Sequence, residues 1–178
     1  MVLALAEALP HIRFEIIESW PLPPEKWRQL IARTMRLPNV RLRRRLYDVR
    51  VAYANARVLL VPSQWEEAWG RVVSEAQVSG IPVLASDLGG LRESVGPGGM
   101  ILPADRLETW VGALDQVWSN RALYEHLSEA ARSHSRRAEV QPRYFIDRFK
   151  AIADRQTQEE DRPVVVASSG ADRTVSIT

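Results

Sequence analysis

The chain of 178 residues contains no cysteine, which excludes disulfides and thiolate metal sites. It also has no apolar run near the ~20 residues that a membrane-spanning helix needs. The opening residues do not read as a secretory signal, so a cytoplasmic location is the expectation. Neither a Gly-x-Gly-x-x-Gly fingerprint nor a Walker loop occurs, and the markers of dinucleotide and P-loop sites are therefore missing. The histidines, His11, His126 and His134, are scattered, with no spacing that suggests a triad or a metal site. They are expected at the surface, and no metal is expected. Charge of one sign is not in large excess either. The net charge is +2, and the pI near 9.3 is weak grounds for a nucleic-acid partner, so none is expected.

What is present is an alternation of short apolar runs with longer amphipathic ones. Residues 11–19 place Ile12, Phe14 and Ile16 on alternate positions and predict a strand. Residues 23–37 open with prolines suited to a helix start, and Trp27, Leu30, Ile31 and Met35 mark one helical face. Further strands are expected at 39–42, 57–63, 81–87 and 99–105. Further helices are expected at 47–56, 70–80, 106–118, 121–135 and 141–154, with Gly80 as a C-terminal stop. Trp20, Trp27, Trp110 and Trp118 are expected in the core. Buried strands alternating with helices predict an α/β fold: a Rossmann-like, doubly wound parallel sheet with helices on both faces. Residues 1–154 form the expected domain. Residues 155–178 have little helical pattern and are expected to be a disordered tail, with "PVVVA" as a stray strand inside it.

In such folds ligands bind beyond the C-terminal ends of the strands. Two stretches lie there. The first is "SQWEEAWGRVVSEAQVSG", residues 63–80. With a helix starting near Gly70, the backbone N–H groups of Trp69, Gly70 and Arg71 lack helical partners and form a donor nest suited to phosphate or sugar oxygens. Glu67 before the helix and Glu75 within it can accept hydrogen bonds from hydroxyls. That combination suits a sugar nucleotide. It is equally the pattern of solvated charges near a helix start, with Arg71 and Glu75 as an ordinary i,i+4 pair. The second stretch is "SDLGGLRESVGPGG", residues 86–99, where Gly89–Gly90 could present N–H groups to phosphate or simply make a permissive turn. Trp65 and Trp69 fit either stacking on a base or packing against the sheet. The arginine run "RLRRR" at 41–45 reads as a solvated loop, and also as a candidate contact with anionic lipid or acceptor phosphate at a membrane surface.

Taken together, residues 53–105 resemble the donor-binding half of the retaining GT-B glycosyltransferases of family 4, or group 1. The resemblance rests on Pro62-Ser63, Glu67, Gly70, Glu75-Ala76, Gly80, Pro82-Val83, Ser86-Asp87, Gly89-Gly90 and Glu93, in that order. It extends loosely over 1–150. Ala68 and Trp69 stand where the family usually has Gly and Phe, and Arg71 stands where an apolar residue is common.

The resemblance implies that Glu67 is the catalytic residue, in contact with the donor sugar hydroxyls. It implies donor binding by the backbone of Trp69, Gly70 and Arg71, by Glu75 on the ribose diol, and by Gly89 and Gly90 near the phosphate. The substrate is then a nucleoside diphosphate sugar, and no cofactor is needed. The family's first strand, its basic diphosphate-clamping loop and its N-terminal acceptor domain have no counterpart in these residues. The expectation is therefore a donor-binding half, inactive alone, that works with a separate acceptor domain or subunit or self-associates as a homo-oligomer. The other readings are a non-catalytic nucleotide-sugar-binding or scaffold fragment and a sugar-nucleotide epimerase, for which no acid and base groups are found.

Overall fold

The computed structural model describes residues 1–18 and 21–160. Among them five strands form: β1 (Phe14–Ile17), β2 (Val40–Arg43), β3 (Leu59–Val61), β4 (Val83–Ser86) and β5 (Gly99–Leu102). Eight α-helices lie between and after them: α1 (Val2–Ala8), α2 (Pro24–Thr34), α3 (Arg50–Tyr53), α4 (Arg71–Val78), α5 (Leu91–Val95), α6 (Leu107–Ser119), α7 (Arg121–Ser135) and α8 (Pro142–Glu160). Every strand pairing is parallel, as the alternation predicts. The ladders nevertheless make two sheets, β1–β2 and β3–β4–β5, because no hydrogen-bonded pairing joins β1 to β3.

The described chain separates into two compact units, Met1–Arg137 and a second that begins at Ala138. In the first, β4 is buried along its whole length, which fits the apolar run Val83–Leu84–Ala85 that opens it. Leu84 points into one core, with Leu5, Phe14, Trp110, Leu114 and Leu127. Val83 and Ala85 point into the other, with Val61, Val73, Ala76, Leu91 and Val95. Successive strand residues face opposite sides, so α1, α6 and α7 cover one face and α4 and α5 the other. Phe14 of β1 shares the first core with Leu84 and Leu102, so one apolar interior serves both sheets.

Local chemistry sets the helix ends. Asn39 donates from Nδ2 to the carbonyls of Ala6, Leu9 and Ile12 at 2.8, 3.2 and 3.0 Å, tying the end of α1 to the start of β2. Asn120 caps α7, its Oδ1 accepting from the Leu123 N–H at 3.0 Å. Gly80 ends α4 with φ +71°, the left-handed stop its position predicts.

The expected face of α2 is corrected. Trp27 and Thr34 are buried, whereas Ile31 and Met35 are exposed. Thr34 can be buried because its hydroxyl donates to the Ile31 carbonyl at 3.0 Å, which leaves no polar atom unpaired. Trp110 is fully buried, Trp27 nearly so and Trp118 half-buried; Trp20 lies outside the described residues. His11 and His126 are exposed, as expected.

The arginine run at 41–45 meets acids of β1 and of the residue after it: Arg43 pairs with Glu15 at 3.2 Å and Arg44 with Glu18 at 3.3 Å. The Arg44 guanidinium also lies 3.9 Å from the Trp27 ring centroid. Arg43 and Arg44 are thus paired, while the Arg41 and Arg44 side chains stay largely exposed. Among the described residues no helix is long and apolar enough to cross a membrane.

In the second unit α8 carries Phe145, Ile146, Phe149 and Ile152 as an exposed apolar stripe. The helix reaches Glu160, past the residue at which the tail is expected to begin, and the remainder of that tail, 161–178, lies outside the described residues.

Gly112 sits within α6 on the solvent side, with open space where a Cβ would stand. Gly112→Ala is expected to stabilise the protein by about 0.5–1 kcal/mol through helix propensity alone. Thermal unfolding checks this, and a fall in the melting temperature would contradict it.

Candidate functional site

The site begins where β3 ends. Pro62 stops the ladder, and Ser63, itself buried, donates from Oγ to Glu67 Oε1 at 3.0 Å. This bond fixes a half-buried carboxylate four residues along the loop, while Trp65 and Glu66 stay exposed.

The backbone of Glu67 is fastened as well. It forms a parallel bridge with Gly89, and its carbonyl accepts from the Gly90 N–H at 2.7 Å. The two glycines make this approach possible. A Cβ on Gly89, which has φ +56°, would collide with the Glu67 backbone, and one on Gly90 would collide with the Ala68 carbonyl. The Gly90 N–H is thus engaged by Glu67, a partner that the reading of these glycines as phosphate donors did not foresee.

Gly70 is the N-cap of α4, with φ +70°. It supplies the left-handed turn, and among the described residues no non-glycine residue takes positive φ, so Ala68 is accommodated without strain. A side chain at Gly70 would also meet Leu91 Cδ2 at 2.7 Å. Among the described residues the N–H groups of Trp69, Gly70 and Arg71 have no hydrogen-bond acceptor, while that of Val73 bonds the Gly70 carbonyl at 2.9 Å. These are the unpaired donors and the positive dipole end of a helix start.

The Trp69 side chain packs rather than standing free. Its Nε1 donates to Ser74 Oγ at 3.0 Å, and the Arg137 guanidinium lies 5.3 Å from its ring centroid. Arg71 is almost fully exposed and approaches Glu75 Oε1 loosely, at 3.5 Å. Glu75 Oε2 accepts from the Tyr53 hydroxyl at 2.9 Å. Burial first, and then the Glu75 carboxylate, push the Tyr53 phenol pKa well above the ordinary tyrosine value. Asp87, the residue after β4, pairs with Arg92 at 2.5 Å.

The structure therefore brings Glu67, Gly89 and Gly90 into direct contact and places Gly70, Arg71 and Glu75 along the helix that follows. It adds two partners that were not read as site residues. Ser63 had a signal, four residues from Glu67. Nothing in the sequence paired Tyr53 with Glu75, 22 residues further on.

Residues 6–134 match the family described as Glycosyl transferases group 1. A D-inositol 3-phosphate glycosyltransferase from Jonesia denitrificans is 38% identical over 82 residues, which is 45% of this chain and 19% of that protein. One from Rhodococcus erythropolis is 37% identical over 93 residues, 51% of this chain and 20% of that protein. The match thus spans about a fifth of the length of these relatives. Among solved structures, the sucrose-phosphate synthase of Thermosynechococcus elongatus superposes with a TM-score of 0.68 at 21% identity, covering 89% of this chain and 42% of that one. The Anabaena protein HepE in complex with UDP-glucose superposes with a TM-score of 0.66 at 18% identity, covering 86% and 44%. These likenesses agree on the fold, and the family match covers most of the first unit together with every residue of the site: the chain belongs to the group 1 glycosyl transferases.

Proposed function

We propose that the chain is the donor-binding half of a retaining glycosyltransferase that moves a sugar from a nucleoside diphosphate sugar to an acceptor. The observation that carries this reading is the arrangement along residues 67–75: a fastened carboxylate, backbone N–H groups without acceptors, and a second carboxylate on the following helix. In this reading Glu67 accepts from the donor sugar hydroxyls. The N–H groups of Trp69, Gly70 and Arg71 hold sugar or phosphate oxygens at the helix start. Glu75 accepts from the ribose diol, and Gly89–Gly90 keep Glu67 in place. Departure of the diphosphate leaves an oxocarbenium-like charge on the sugar, and fixed dipoles around both charges lower the barrier. No cofactor enters this scheme. HepE is solved in complex with UDP and with UDP-glucose, which supports a nucleotide sugar here. In this reading the described residues supply the donor side of the reaction, and the acceptor is held by another domain or subunit.

Calorimetry of the chain with UDP, GDP, ADP and UDP-glucose tests the proposal. Glu75→Ala is expected to weaken the preferred nucleotide roughly ten- to hundredfold, the loss of a charged acceptor from a bound diol. Removing only a surface pair with Arg71 would leave affinity alone. Unchanged affinity would remove the ribose role, and absence of binding to every probe would favour a non-catalytic scaffold.

A further inference from the structure

Tyr53 closes α3, outside the stretch that supplies the rest of the site, yet its hydroxyl is the closest hydrogen-bond partner of Glu75. The ring is half-buried and packs against the core that holds Val61, Val73 and Ala76, so the hydroxyl is delivered from a fixed platform. Its raised pKa keeps it a donor over the working pH range.

A carboxylate offers about four lone-pair directions on two oxygens. Tyr53 takes one of them on Oε2, and Arg71 makes only a long contact with Oε1 from an exposed side chain. The remaining acceptor capacity is left for a ligand. A glutamate without such an anchor would lose rotamer freedom on binding. Orientation matters most to a ligand that must place two hydroxyls at once, and least to one that offers a single hydroxyl. A tyrosine whose only task was to tie α3 to α4 would affect stability and leave ligand choice unchanged.

We propose that Tyr53 is a positioning residue: its hydroxyl orients the Glu75 carboxylate toward a vicinal diol, and through it the site selects ribose over 2′-deoxyribose in a nucleoside diphosphate. This rests on the reading of Glu75 as the ribose acceptor. Tyr53→Phe keeps the ring and its packing and removes only the donor.

The test is calorimetry of the full chain with UDP, GDP and ADP, each against its 2′-deoxy counterpart, on wild type, Tyr53→Phe, Glu75→Ala and the double variant. Wild type is expected to prefer the ribonucleotide at least tenfold, the scale of a charge-assisted hydrogen bond. Tyr53→Phe should reduce that preference to about threefold or less, lowering ribonucleotide affinity and leaving deoxyribonucleotide affinity nearly unchanged. The double variant should bind like Glu75→Ala, because Tyr53 acts through Glu75. Tyr53→Phe with its preference intact, whether or not the melting temperature falls, would overturn the proposal while Glu75→Ala still abolished the preference. If Glu75→Ala also changed nothing, or no nucleotide bound to wild type, the ribose reading and the role of Tyr53 would fail together.

Discussion

Gly89→Ala is expected to destabilise the protein by about 2–5 kcal/mol and to abolish nucleotide binding at concentrations that saturate the wild type. Two costs combine. Gly89 has φ +56°, and an L-residue held there costs roughly 1–2 kcal/mol. The new Cβ would also strike the nitrogen and carbonyl oxygen of Glu67, backbone atoms that cannot rotate aside, and overpacking of this kind costs about 1–3 kcal/mol. The turn must therefore move, and the Gly90 N–H bond to the Glu67 carbonyl goes with it. Thermal unfolding should show a fall of roughly 5–15 °C for a unit of this size, and calorimetry should show the loss of binding. A variant with wild-type melting temperature and affinity would show that the loop is held by something other than this contact.

Trp110→Ala is expected to cost about 3–5 kcal/mol, the range for removing a fully buried aromatic side chain. Trp110 sits in the core that joins Phe14 of β1 to Leu84 and Leu102 of β4 and β5, so the cavity would open where the two sheets share their interior. Its Nε1 also donates to the Pro103 carbonyl at 2.8 Å. Trp110→Phe should keep most of the volume and cost closer to 1–3 kcal/mol, the penalty of leaving that carbonyl unpaired. Urea denaturation separates the two, with the slope unchanged if the native state keeps its compactness. Equal costs for Ala and Phe would place the energy in the hydrogen bond rather than in the packing.

The parts of the fold legible in the sequence are those fixed over short range. The run ending in Val83–Ser86 reads as a buried strand because apolar residues fill it between Gly80 and Gly89, and all four of its residues are buried. Gly80 reads as a helix stop because a left-handed residue is needed there. Periodicity fails on α2. It finds an apolar stripe but cannot see that Thr34 satisfies its own hydroxyl and takes an interior place while Met35 stays outside. Within the site, Glu67, Gly70 and Glu75 stand out because helix-start chemistry marks them. The bond of Gly90 to Glu67 and that of Tyr53 to Glu75 join residues 23 and 22 positions apart, and no local pattern encodes such pairs. The split into two ladders was not legible either, since a strand's sequence records its burial but not which neighbour it pairs with.

The fastening of Glu67 to the Gly89–Gly90 turn runs from main chain to main chain. Main-chain bonds are indifferent to the identity of the side chains they carry. Trp65, Glu66 and Ala68 flank Glu67 with their side chains exposed, and none takes part in holding it. The loop thus divides labour between a constant frame and a variable display. Exchange at these three positions can remodel what the cleft presents to a new sugar without resetting the position of the carboxylate between them, which makes them the natural positions to randomise when a changed donor preference is sought.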